Sequence, residues 1–350
     1  MKSGPAWWPG GRVQQNAAGA PAAMRMAALA AANLGIEVVI YAPDDQGPAN
    51  MVVRESHVGA YDDEIALAKF ADAVDAITYE FENVPVAAAK FVENIKPIFP
   101  QPIWLERAQH RLTEKDFIRS KGIDTAPYRP WKHTLAGHVS EKDLIVKTCA
   151  GGYDGKGQWR IKSGDKFPEI AGDLIIEDRI DLAGEVSVII CADQHGNTAC
   201  YDPAWNVHKD GILDTSTIPA PSHVEEAKAM AMQLVKGEQF VGVLALELFI
   251  TKDGKLLANE MAPRPHNFGH WTMDACVCSQ FEQQIRAVAG LPLGSVTRHS
   301  DAVMTNLIGD DVKQVPELLA RLDTAVHLYG KHDARPGRKM GHATVIKCLS

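Results

Sequence analysis

The chain has 350 residues, 46% of them hydrophobic, a formal net charge of −8 and a sequence pI near 5.9. That length suits two or three domains, and the scattered basic residues exclude a nucleic-acid-binding stripe or a polybasic membrane patch. No run approaches eighteen uninterrupted apolar residues, so no membrane span is expected, and the expected partners are small molecules. Six cysteines (Cys149, Cys191, Cys200, Cys276, Cys278, Cys348) include no Cys-x-x-Cys pair, which fits free thiols in a reducing, cytoplasmic compartment and argues against structural zinc.

Residues 1–20 carry Gly, Pro and Ala without periodicity and read as an irregular or disordered leader. The "AAMRMAALAAANLG" run is not a signal peptide, because Arg25 interrupts it and a strand-like "IEVVIYAP" follows directly. From residue 21, helix (22–34), strand (36–41), helix (62–71), strand (76–79) and helix (86–94) alternate at βα spacing. This predicts an N-terminal parallel, doubly wound α/β domain over 21–105. A helix stopped at Gly122 follows, then a proline-marked linker. Residues 106–190 are expected to form this linker and a small α+β lid, 191–295 a mixed-sheet domain, and 296–350 a small C-terminal domain.

The stretch "KTCAGGYDGKGQW", Lys147 to Trp159, holds four glycines, two lysines and one aspartate. Glycines let backbone N–H groups converge on an anion, and lysine adds charge, so a phosphate is a natural guest. The spacing is not that of a P-loop, and "QWRIKS" alternates like a strand. A glycine-rich hairpin turn is the competing reading.

In "VGVLALELFITKDGKLLANEMAPRPHNFGH", two apolar runs flank Asp253-Gly254, the preferred pair for a two-residue type I′ turn. Such a turn sets Glu247 opposite Glu260. Facing carboxylates within an apolar run repel unless a cation lies between them or one is protonated, and Mg²⁺ takes oxygen ligands. The alternative is two solvent-facing glutamates at a hairpin edge. His266 and His270 lie four apart, but the prolines and glycine around them deny a helix, so they do not read as a zinc pair. Glu282 and Arg286, four apart on an expected helix, read as an ion pair.

Together these motifs resemble the ATP-grasp superfamily and, within it, the N5-carboxyaminoimidazole ribonucleotide synthetases of purine biosynthesis. The resemblance rests on "YEFENVP" (79–85), the glycine loop, "IIEDRIDLAGEVSV" (175–188), "NVHKDGIL" (206–213), "LALELF" (244–249), "NEMAPRPHNFGHWT" (259–272), "SQFEQQIRAVAGLPLG" (279–294) and "RPGRKMGH" (335–342). It spans about residues 22–347. It implies an ADP-forming ligase with ATP and Mg²⁺ (or Mn²⁺), bicarbonate and 5-aminoimidazole ribonucleotide as substrates, and a homodimer.

The resemblance also implies residue roles. Arg111, Lys147 and the loop Gly152, Tyr153, Asp154, Gly155, Lys156, Gly157 and Gln158 would hold the phosphates of ATP. Glu177, Asp178, Arg179 and Ile180 would line the adenine, Glu185 and His208 the ribose side, and Asn259 with Glu260 the metal end. Glu247 and Glu260 would hold the metal. Glu80, Tyr153, Asp154, Arg264 and His266 would face the ribonucleotide, whose 5′-phosphate would meet Lys331, Arg335, Arg338 and Lys339; unaided, that cluster also reads as a solvated basic turn. Lys147, Asp154 and Arg264 are the implied catalytic residues. A formate-using or other ATP-grasp ligase, or a non-catalytic nucleotide-binding homologue, are the competing functional readings.

Three departures from the family pattern stand out. The opening strand and its "GGGQLGRM"-like loop are missing, which predicts exposed edges in the first sheet and an incomplete ribonucleotide wall. Phe268 stands where a small serine is usual. After "RKMGH" the family pattern implies a further strand and helix, whereas the chain ends at Ser350.

Overall fold

The computed structural model describes residues 12–16 (as backbone), 22–132, 135–151 and 157–349. The N-terminal unit contains β1 (Arg12–Asn16), α1 (Ala22–Asn33), β2 (Glu37–Ala42), β3 (Glu55–Val58), α2 (Glu64–Asp72), β4 (Ala76–Tyr79) and α3 (Val86–Glu93). Its four strands are all parallel, in the order β3-β2-β1-β4. Alternate residues of β2 face opposite cores: Val38 and Ile40 pack with α1, while Val39 and Tyr41 pack with Leu67 and Phe70 of α2. Helices on both faces make the sheet doubly wound, as expected.

One expectation fails here. Residues 12–16 are not part of a disordered leader: β1 lies inside the sheet, Val13 opposite both Val38 and Ala76. The edges of β2 and β4 are therefore paired rather than exposed. "RVQQN" lacks the apolar run by which a buried parallel strand is normally recognised. Its place follows from backbone N–H and C=O groups of two neighbours that need partners, a demand no side-chain pattern reports. The β1–α1 connection, where the family pattern places its glycine-rich loop, lies outside the described residues.

Next come α4 (Pro102–Gln109), α5 (Arg111–Ser120) and the lid strands β5 (Tyr128–Pro130), β6 (Leu144–Thr148), β7 (Gln158–Ile161) and β8 (Leu174–Asp178). The lid is an antiparallel sheet in the order β5-β8-β6-β7. Its core is Trp131, Leu144, Val146, Ile161, Phe167, Leu174 and Ile176. The β6–β7 connection is the glycine loop.

The third unit holds β9 (Leu182–Ala192), β10 (Thr198–Cys200), β11 (Ala204–Lys209), β12 (Ile212–Ile218), α6 (Val224–Val235), β13 (Gly242–Thr251), β14 (Leu256–Ala262), α7 (Thr272–Ala275) and α8 (Gln280–Val288). It continues into β15 (Asp301–Ile308), α9 (Val315–Leu319), β16 (Thr324–Leu328) and β17 (Lys339–Lys347). Its sheet runs β14-β13-β9-β11-β12-β15-β17-β16, with β10 beside β9. One expected boundary therefore shifts. β9 lies in this sheet and not in the lid, so a boundary at residue 190 cuts through a strand. The segment after 296 adds β15 to β12 and has no separate sheet.

The sheet is filled on both faces. Val186, Val188, Leu244, Leu246 and Leu248 pack towards Ile118 of α5 and Leu234 of α6. Ile189, Cys191, Val243 and Ala245 pack towards Phe268 and Trp271. Strand alternation puts Glu247 on this second face, between Ala245 and Phe249. All six cysteines are free, and Arg286 pairs with Glu282 at 2.6 Å, as expected.

Candidate active site

A cleft of about 840 Å³ opens between the lid, α5 and the β13–β14 hairpin. Arg111, Lys147, Gly157, Gln158, Glu177, Asp178 and Ile180 line it on the lid side. Glu185, His208, Glu247, Asn259, Glu260, His266 and Lys339 line it on the sheet side. Most of the residues singled out in the sequence thus converge on one space. Arg179 does not: its guanidinium turns to Asp143 at 2.6 Å. Gly152, Tyr153, Asp154, Gly155 and Lys156 lie outside the described residues.

Glu247 and Glu260 are cross-strand partners, as expected, but not through a two-residue turn. Thr251 pairs with Lys255 across a three-residue loop, with Gly254 at φ +81°. This is the type I turn plus left-handed glycine that also closes hairpins. The loop shifts the register by one residue, and a bulge beside Glu247 shifts it back. Ala258 and Met261, three apart, consequently face the same core, which leaves Glu260 on the cleft side.

This hairpin concentrates oxygen donors. Glu247 contacts His266 Nε2 at 3.3 Å. Burial, then the charges of Glu260 and Glu185, hold its carboxyl well above the usual range, so it favours a proton. Burial opposes ionisation of Glu260 too, but Arg111, with Lys147 and Lys115, keeps its pKa below the ordinary value; the Arg111 Nη1–Glu260 Oε2 distance is 3.2 Å. Asn259 Oδ1 is buried with no hydrogen-bond partner. Two carboxylates and an orphaned amide oxygen are the donor chemistry of a hard divalent cation.

On the lid side, Glu177 sits between two ammonium groups, Lys147 Nζ at 2.8 Å and Lys115 Nζ at 3.2 Å. Burial would raise its pKa, yet Lys147 and Lys115 bring it down to about 2. Lys115 also donates to the Asn259 carbonyl, and Glu114 accepts from Met261 N at 2.7 Å. Burial and the neighbouring Glu260 push Glu114 up to about 8. Helix α5 is thereby bolted to the bulged hairpin by buried polar contacts. His208 Nδ1 meets Glu185 Oε2 at 2.9 Å at the other wall.

Towards the N-terminal unit, Arg264 is held by Glu82, its Nε 2.6 Å from Oε2. Glu80 lies near this pair; burial lifts its pKa to about 8, and Arg264 pulls the other way. Burial, then Arg264 and Lys339, keep the His266 pKa well below the ordinary histidine value. Lys331 Nζ donates to the Lys339 carbonyl. Arg335 and Arg338, in contrast, sit on an exposed turn and bind the Asp333 carboxylate and carbonyl at 2.9 and 3.1 Å. Phe268 is buried against the His266 ring. Gly269 beside it allows close packing, since a Cβ there would force the Ile189 and Gln280 side chains to shift.

Three family models cover the chain: a ribonucleotide synthetase preATP-grasp domain over 18–109, an ATP-grasp domain over 117–281, and a phosphoribosylaminoimidazole carboxylase C-terminal domain over 302–348. A curated N5-carboxyaminoimidazole ribonucleotide synthase from Brucella melitensis is 51% identical over 337 residues, covering 92% of this chain and 93% of that one. The chain belongs to the N5-carboxyaminoimidazole ribonucleotide synthase family, within the ATP-grasp ligases. A solved ADP complex of a family member superposes with a TM-score of 0.90 at 35% identity, covering 97% of this chain and 93% of that chain. A member from Aspergillus clavatus, solved with ADP and 5-aminoimidazole ribonucleotide, gives 0.87 at 25% identity, covering 97% and 95%.

Sequence reasoning did not single out Glu114, Lys115 or Glu82. Charged residues on an amphipathic helix, as Glu114 and Lys115 are, or in a turn, as Glu82 is, normally read as solvent-facing, and all that marks these is the partner each meets far along the chain. Among the described residues, no helix is long and apolar enough to cross a membrane.

Proposed function

We propose that this chain catalyses the family's reaction: ATP phosphorylates bicarbonate to carboxyphosphate, whose carboxyl group passes to the exocyclic amine of 5-aminoimidazole ribonucleotide, releasing ADP and phosphate. The observation that carries this reading is the Glu247–Glu260 pair with the orphaned Asn259 Oδ1, facing Arg111 and Lys147 across the cleft. Oxygen donors opposite fixed cations are what phosphoryl transfer requires, since its catalysis is mostly positioning and charge neutralisation.

Lys147 and Arg111 neutralise nucleotide phosphates, while Glu177 fixes Lys147 in place. Backbone N–H groups of the glycine loop, Gly152 to Gln158, add donors. Asp178 and Ile180 border the adenine end, and Glu185 with His208 the ribose. Glu247, Glu260 and Asn259 would hold a Mg²⁺ or Mn²⁺ ion, which would supply charge neutralisation for phosphoryl transfer. Glu247, whose carboxyl is held above the usual range, would give up a proton when such a cation binds.

At the other end, Glu80, Tyr153, Asp154, Arg264, His266, Lys331 and Lys339 hold the ribonucleotide, and Asp154 orients or deprotonates the amine. A 5′-phosphate that reaches Arg335 and Arg338 must displace their contacts with Asp333. We also propose a homodimer, which sedimentation equilibrium tests directly.

The deciding assay is bicarbonate-dependent ADP formation in the presence of 5-aminoimidazole ribonucleotide. Glu247→Gln and Glu260→Gln are expected to abolish it while leaving the fold intact; undiminished activity in both removes the metal assignment. Formate in place of bicarbonate is expected to give no product, and formylation would assign the chain a different ligase activity.

A further inference from the structure

Away from the cleft, Asp274 of α7, His327 of β16 and His342 of β17 each bring a donor atom within 4.8 Å of the other two. His327 and His342 are directly opposite across the β16–β17 ladder, with rings stacked 4.7 Å apart. The strands approach closely because Gly341, next to His342, has no Cβ to strike the His327 carbonyl. From the facing side, α7 supplies Asp274, whose Oδ1 lies 2.8 Å from His327 Nε2.

A structural ion pair between Asp274 and His327 explains only half of this arrangement. Asp274 Oδ2 and His342 Nε2 are both buried without a hydrogen-bond partner, and His342 is fully buried. Orphaned buried polar atoms are costly, so these two call for a common partner. His342 Nδ1 is already engaged by the Tyr329 hydroxyl at 3.0 Å, which fixes the ring with Nε2 turned the other way. A metal-bound imidazole is ordinarily oriented by such an outer contact on its second nitrogen. Burial also holds the His342 pKa well below the usual value, which keeps the ring neutral and able to donate a lone pair.

We propose that Asp274, His327 and His342 form a binding site for a divalent transition-metal ion, zinc in the first instance, separate from the cleft. Two imidazoles and a carboxylate make a three-residue zinc set with a fourth position left for water. Donor atoms around tetrahedral zinc lie about 3.4 Å apart, so closure requires side-chain rotation of roughly 1 Å and no strand movement. The side chains of His327 and Asp274 are 28% and 11% exposed, which gives an ion access. The bound ion would tie α7 to β17, the strand whose first residue, Lys339, lines the cleft.

The test is a zinc titration of the full chain after chelator treatment, with millimolar Mg²⁺ present to saturate hard oxygen sites, and Co²⁺ as a spectroscopic substitute. One tightly held equivalent is expected, with a tetrahedral Co²⁺ spectrum and a raised Tm. Asp274→Asn and His327→Asn should each weaken zinc binding by at least about 100-fold, and Tyr329→Phe by about tenfold. Another transition-metal candidate among the described residues, His110 with Cys149 and Asp173, is separated by Cys149→Ser, which should leave the zinc stoichiometry unchanged. Circular dichroism checks that each variant folds, and the wild-type titration decides independently of them. No zinc retained by the wild type, zinc undiminished in both ligand variants, or zinc lost with Cys149→Ser would overturn the site.

Discussion

Glu177 on the lid and Glu247 on the hairpin are both glutamates withdrawn from bulk water beside one cleft, yet burial ends differently for each. Glu177 has an ammonium group within about 3 Å on either oxygen and stays ionised, its pKa down to about 2. Glu247 faces another carboxylate and one neutral imidazole, and its pKa rises well above the usual range. A buried carboxylate is tolerated either with a built-in cation or with a proton in place of one. The lid carries its own cations in lysine side chains. On the hairpin Glu260 has Arg111, but Glu247 has no lysine or arginine ion pair among the described residues, and that missing charge marks where an external one belongs.

The largest effect should come from removing the lid's negative partner. Glu177→Gln leaves Lys115 and Lys147 facing each other at a buried position, and urea unfolding should show a loss of about 3–5 kcal/mol. Glu247→Gln in metal-free protein should cost little, because burial and the facing Glu260 already push the wild-type group towards its neutral form. Equal losses in the two variants would break the comparison. The pH dependence sharpens it. The folded pKa of Glu177 lies below its unfolded value of 4.5, so its contribution is complete above that value. It is lost as pH falls towards about 2, by about 3 kcal/mol in total. Glu177→Gln should flatten this acid limb of the stability curve.

The next effect concerns cation supply. With ADP present, Mg²⁺ at 100 times its dissociation constant should stabilise the wild type by about 2.7 kcal/mol, and Glu247→Gln should lose that increment. Because burial keeps Glu247 protonated in the free protein, wild-type binding should also release a proton near neutral pH. Calorimetry in buffers of different ionisation enthalpy measures this. Mg²⁺ binding without proton release would show that Glu247 is already ionised or takes no part.

The lid–hairpin contrast also explains what the sequence could reveal. The Glu247–Glu260 pairing is legible because hairpin register is local, though it survives only through the cancellation of two unforeseen irregularities: a three-residue loop in place of two, and a bulge at Asn259. Lys147, Gly157 and Gln158, which line the cleft, are legible from composition. Lys115 and Glu114 are not, because "RLTEKD" matches any solvated helix start; their burial depends on Glu177 and Met261, more than sixty residues away. β1 is hidden for the same kind of reason, since its place is fixed by backbone pairing with β2 and β4. Chemistry carried by neighbours in sequence can be read directly, whereas chemistry assembled by the fold cannot.

Glu114 offers the most selective test, because it joins the two regions. It stands on α5 beside Lys115 of the lid cluster, yet its carboxyl accepts from Met261 of the hairpin, and burial with Glu260 nearby places its pKa at about 8. A folded pKa above the unfolded value of 4.5 means that the folded state binds the extra proton. Stability from this group is therefore full below about 4.5 and declines as pH rises through 8. Glu114→Gln mimics the protonated acid, keeping an acceptor for Met261 N and an amide donor where the acid carries its proton. The variant should lie close to the wild type at pH 5 and become the more stable as pH rises to 8.5, by up to about 4 kcal/mol. Urea midpoints at both pH values measure the difference. A gap that stays constant with pH would place Glu114 with Glu177 among the permanently ionised carboxylates, and the division between lid and hairpin would then fall at Met261 instead of within α5.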